Sequence, residues 1–106
     1  MAREYPTGAT RSDASKKPDY EGYLSPTVLI RFGEYMLAHQ YQGQRSSDNW
    51  QKGIPQEDYL KSLLRHVIAA WWAHREGRVD EEAWCAILFN AQGYLHESLT
   101  RPSRGV

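Results

Sequence analysis

The chain has 106 residues, with 13 Lys and Arg against 13 Asp and Glu, so its formal net charge is zero. One domain is the most this length supports. A polyanion-binding surface over the whole chain is not expected, because affinity for a phosphate backbone needs clustered positive charge. The longest apolar run, which begins at Val67 and includes Trp72, is far shorter than the roughly 20 residues that span a bilayer. The stretch Met1 to Pro6 is polar and has no apolar h-region, so no secretory signal peptide is expected. The single cysteine, Cys85, cannot form an internal disulfide or build a zinc site alone. A cytoplasmic protein is the default expectation. Mean hydropathy is -0.72, yet 12% of residues are aromatic. A polar tail joined to a small aromatic-rich core reconciles the two values.

Residues 1–22 read as that tail. They contain Pro6, Gly8, Pro18 and Gly22, four basic and four acidic residues, and no apolar periodicity. Such a segment buries too little surface to offset the cost of ordering it, so disorder is expected. Residues 100–106 have a similar composition and are expected to be a second flexible tail.

Three helices fit into residues 23–99. The first has Ser25 as N-cap and Pro26 at its first position. Val28, Leu29, Phe32, Tyr35, Met36 and His39 share one face; Ile30, Leu37 and Tyr41 lie on another. A loop over 42–55 contains Trp50 and Ile54, which should tie it down. The second helix begins near Pro55, with Glu57 and Asp58 favourable in its first turn, and ends at Gly77. Its apolar residues are Tyr59, Leu60, Leu63, Leu64, Val67, Ile68, Trp71 and Trp72.

The third helix opens on Asp80, Glu81 and Glu82. Trp84, Ile87, Leu88, Ala91, Leu95 and Leu99 read as its core stripe. The opposite side, with Glu82, Ala86, Asn90, Gly93 and Glu97, is a groove of small residues with three polar groups along it. Glycine inside a helix costs about 1 kcal/mol relative to alanine, so Gly93 implies a close approach by a helix or a ligand. The fold expected is all-α, a small three-helix bundle. Each helix has surface left over after one partner, so assembly into a helical homo-oligomer is expected as well.

Zinc signatures, a glycine-rich phosphate loop and a nucleophile elbow are absent. Cys85 beside the apolar stripe reads as a packed thiol. Arg65 and His66 flank the second helix's apolar face. An arginine there either snorkels over apolar surface or holds a phosphate in its fork. Lys52 precedes that helix, and Trp50, Tyr41 and Tyr94 are suited to stack on a base. The carboxylates available to a hard cation are Glu34, Glu81, Glu82 and Glu97, although the first turn of the third helix is also where acids serve as caps.

The run Asp48-Asn49-Trp50-Gln51-Lys52-Gly53-Ile54-Pro55, followed by Tyr59, Ser62-Leu63-Leu64-Arg65-His66 and Trp71-Trp72, carries a resemblance. So do Leu24-Ser25-Pro26 upstream and Phe89-Asn90-Ala91, Tyr94, His96 and Glu97 downstream. These blocks resemble the N-terminal domain of the phage dATP/dGTP diphosphohydrolases, relatives of the all-α MazG-type nucleotide pyrophosphohydrolases. The resemblance covers most of residues 23–99. It implies an often oligomeric helical bundle that handles purine deoxynucleoside triphosphates with a divalent metal. It implies ligand contacts at Asn49, Trp50, Lys52, Arg65, His66, Asn90 and Tyr94. Histidines of the family pattern fall at Ala83 and Ala86, and its lysine near the end of the first helix falls at Gln40. A site stripped of ionisable groups would bind without turnover. The favoured expectation is therefore a phage protein that captures a purine nucleotide or nucleotide-derived signal intact, with a sequestering, anti-defence role. The alternative is a magnesium-dependent pyrophosphohydrolase with Glu34, Glu81, Glu82 and Glu97 as metal ligands. A structural or regulatory oligomer with no small ligand is the third. No nucleic-acid polymer or membrane is expected as partner.

Overall fold

The computed structural model describes residues 2–101. Its elements are a hairpin of β1 (Ala2–Glu4) and β2 (Thr10–Ser12), one helical turn α1 (Tyr20–Tyr23), and three long helices. These are α2 (Pro26–Gly43), α3 (Gln56–Arg75) and α4 (Glu81–Thr100), with a 3-10 turn at Asn49–Lys52 between α2 and α3. The chain is thus mostly helical, with a small two-stranded sheet added.

Local sequence chemistry explains the helix ends. The Ser25 hydroxyl accepts from the Val28 N–H at 3.2 Å, with Pro26 in the first turn of α2. The Asp80 carboxylate accepts from the Ala83 N–H at 3.0 Å and caps α4. After α3, Gly77 takes φ +75°, a left-handed conformation that glycine adopts without a steric penalty.

Residues 2–22 differ from the unordered tail expected of them. The strands pair antiparallel, Ala2 opposite Ser12 and Glu4 opposite Thr10. Gly8, at φ +89°, closes the turn, and its N–H donates to the Tyr5 carbonyl. Backbone hydrogen bonds, not burial, hold this segment: both strands are exposed throughout. Of the second expected tail, Thr100 ends α4, and 102–106 lie outside the described residues.

The core runs against the expected polarity. Helices α3 and α4 pack through their small side chains: Ala70 and Ala73 against Ala83 and Ala86, with Tyr59, Asn90 and Gly93 also buried. The stripe read as the core of α4 is largely exposed, at Trp84, Leu88, Leu95 and Leu99, and Ala91 is exposed with it. On α3 the same holds for Leu60, Leu64, Val67, Ile68, Trp71 and Trp72. The physical reason is close approach. Small faces let two helix backbones come near enough to bury the Tyr59 ring over Gly93. Helix α2 packs on α4 through a half-buried face that includes Phe32, Tyr35 and Met36, and leaves Val28 and Leu29 exposed.

The Tyr59 hydroxyl is buried and meets no hydrogen-bond partner among the described residues. An unsatisfied buried hydroxyl is costly, so Tyr59→Phe should raise stability by about 1 kcal/mol. Urea unfolding of the two proteins measures this; a loss of stability would mean that the hydroxyl has a partner.

Candidate functional site

The site is built by the way the α2–α3 loop is pinned to α4. Gln44 stops α2 in a left-handed conformation at φ 51° and turns the chain back. The 3-10 turn then directs Trp50 inward. Its ring meets His96 edge-on at 4.9 Å and Phe89 at 6.2 Å, both from α4. Three attachments fix this loop. The Ile54 N–H donates to Glu97 Oε1 at 2.9 Å. Arg101 donates to the Gln51 carbonyl at 2.6 Å and pairs with Glu97. The Gln56 amide donates to the Tyr94 carbonyl and to the Ser98 hydroxyl.

Between this loop, α2 and α4 lies a cleft of about 230 Å³. Its walls include Tyr35 and His39 from α2, Arg45, Asn49 and Trp50 from the loop, and Phe89 from α4. Tyr35 and His39 sit ring to ring at 4.2 Å. Burial, then the neighbouring Cys85 and Glu82, push the Tyr35 phenol up, so it remains a neutral donor at pH 7. The composition is that of an organic-ligand site: aromatic walls, a few polar groups and one guanidinium.

The sequence-predicted contacts divide. Asn49 and Trp50 line the cleft. Lys52 is exposed at the end of the 3-10 turn and does not line it. Arg65 is exposed and His66 half-buried on α3, which contributes no residue to the cleft. Asn90 is a buried structural group whose amide donates to the Ala86 carbonyl at 2.8 Å. Tyr94 is half-buried and serves through its carbonyl. Sequence reasoning missed Arg45 and did not give His39, Tyr35 or Phe89 a binding role. The one signal for Arg45 was a cation directly before two serines, Ser46 and Ser47, in the loop.

The four carboxylates also divide. Glu34, Glu81 and Glu82 border a groove between α2 and α4 with Arg31 and Cys85. Arg31 pairs with Glu81 and stands 3.9 Å from Glu34. That hydrogen bond, supported by the guanidinium charge, holds the Glu81 carboxyl below the usual carboxylate range. Glu97 lies 16 residues further along α4, or about 24 Å at the helical rise. It is buried and committed to Ile54 and Arg101. One chain therefore does not bring all four together. Among the described residues no group of three His, Cys, Asp or Glu is placed to hold a metal ion.

Ala83 and Ala86 are almost wholly buried where α4 packs against α3. A histidine at either position would push the two helices apart, so the tight α3–α4 packing depends on these alanines. Among the described residues no helix is long and apolar enough to cross a membrane. Compared with protein-family models, curated proteins and solved structures, the chain matches none.

Proposed function

We propose that this protein, as a helical oligomer, captures a purine nucleotide and releases it unhydrolysed. The observation that carries the reading is that the carboxylates nearest the Trp50 cleft are already committed, Glu97 to the Ile54 N–H and Arg101 and Glu81 to Arg31. The base would stack in the cleft against Trp50 and Phe89. At about 230 Å³ the cleft is smaller than the roughly 300–1,000 Å³ of pockets that enclose a drug-sized ligand. The phosphates would therefore stay at the mouth, where Arg45 offers a fork of donors.

Base–aromatic stacking is worth about 1–3 kcal/mol per base by alanine substitution. Trp50→Ala should accordingly weaken nucleotide binding by roughly 5- to 150-fold. Equilibrium titration of both proteins with purine nucleoside triphosphates measures this. Equal affinity would remove the base from the cleft.

A second reading, magnesium-dependent pyrophosphohydrolysis, is favoured by one observation. Tyr35 borders both the Trp50 cleft and the groove of Glu34, Glu81 and Glu82. It requires Glu81 to leave Arg31 for the metal, and it expects Glu81→Gln to abolish pyrophosphate release. The capture reading expects no pyrophosphate from either protein.

A further inference from the structure

The isolated chain exposes 8667 Å², whereas a monomer of its mass is expected to expose about 6,100 Å². Its radius of gyration is 18.8 Å, against about 13 Å for a compact chain of this length. Exposed apolar helix surface contributes to this excess, and α3 carries a well-defined share of it.

Leu60, Leu64, Val67, Ile68, Trp71 and Trp72 are 39–66% exposed on one side of α3. Leu60, Leu64, Val67 and Trp71 recur at spacings of four, three and four, the pattern of a seam that packs against another helix. Together the six expose on the order of 700 Å², above the roughly 300–600 Å² of a typical monomer's largest patch and near the ~800 Å² per partner of a standard interface.

The ends of α3 indicate what covers the seam. The first turn is acidic, with Glu57 and Asp58, and the last is basic, with His74 and Arg75. Glu57 and Arg75 are about five full turns apart, so they lie on one line of the helix, beside the seam. Helix α4 has acids in its first turn and no base in its last, and α2 has neither. Among the long helices of the described residues, only α3 is charge-complementary to itself run backwards.

We propose that a second copy of this chain covers this face, with α3 packed antiparallel on its counterpart about a two-fold axis near His66. Glu57 of each copy then faces Arg75 of the other, and Leu60 faces Trp72. A surface cleft of about 620 Å³ beside Ile68, Trp71 and Trp72 receives the partner's Leu60 and Leu64, slim side chains against bulky ones. A formal net charge of zero adds no long-range repulsion to this pairing. The pairing is independent of the nucleotide reading, because α3 supplies no residue to the Trp50 cleft.

The test is sedimentation equilibrium on the full chain, with helix content checked by circular dichroism. The wild type should sediment at twice its 12.3 kDa or as a multiple of that dimer. Glu57→Arg and Arg75→Glu should each weaken association by roughly tenfold, since each alters two symmetric contacts. The double reversal should restore it. Leu64→Glu should give a folded monomer; if that variant misfolds, the exposed charge reversals decide alone. A monomeric wild type overturns the proposal. So do single reversals without effect, a double reversal that fails to restore association, or dissociation only by a substitution on α4 such as Leu88→Glu.

Discussion

Gly93→Ala should lower stability by about 2 kcal/mol, although helix propensity alone favours alanine by about 1 kcal/mol. A Cβ at this position would collide with the Cε1 and Cζ atoms of the Tyr59 ring, closer than a real Cβ approaches any atom. Tyr59 is buried and cannot swing away, so ring and helix must separate. Overpacking of this kind costs about 1–3 kcal/mol and occasionally more. For a domain of this size the net loss corresponds to a fall in Tm of roughly 8–16 °C. Thermal or urea unfolding reads it directly. The same substitution in a Tyr59→Leu background should be neutral or stabilising, because the ring is gone. If Gly93→Ala stabilises the otherwise wild-type protein, α3 and α4 do not approach as described.

Glu97→Ala should cost about 3 kcal/mol and also loosen the Trp50 cleft. The carboxylate is buried, accepts from the Ile54 N–H and pairs with Arg101, which itself holds the Gln51 carbonyl. Removing one partner of a buried pair costs about 3–5 kcal/mol. Arg101 is partly exposed, which places the loss at the lower end. Both attachments lie within four residues after Trp50, so their loss should raise hydrogen exchange across 49–54. Glu97→Gln should lose less, because an amide oxygen can still accept from Ile54. Urea unfolding with exchange of the Ile54 amide distinguishes the cases. A Glu97→Ala protein as stable as the wild type would return this residue to the pool of metal ligands.

How far the sequence can be read depends on the range of the interaction concerned. The starts of α2 and α4 were legible at Ser25, Pro26 and Asp80, because a cap forms within four residues of its helix. The faces were not. Periodicity shows that Trp84, Leu88 and Leu95 share a side of α4, but not whether that side meets this chain's own α3. The intramolecular contact fell to the small-residue side, where Gly93 had already signalled a close approach. The hairpin escaped a search based on apolar burial because backbone pairing around Gly8 holds it.

The candidate site divides along the same line. Asn49 and Trp50 stood out by residue type, and both line the cleft. Arg45 and His39 join them only because Gln44, a non-glycine residue at positive φ, turns the chain back over α2. No residue type announces that turn. Arg65 and His66 stood out equally and lie on another helix.

The central claim, capture of a purine nucleotide without hydrolysis, is tested most directly by one titration. Purine nucleoside and deoxynucleoside triphosphates are titrated into the full chain with magnesium, and the bound fraction is recovered and separated by chromatography. The account predicts saturable binding that Trp50→Ala weakens, with the triphosphate recovered intact. Release of a monophosphate with pyrophosphate, or no binding by any member of the panel, would contradict it.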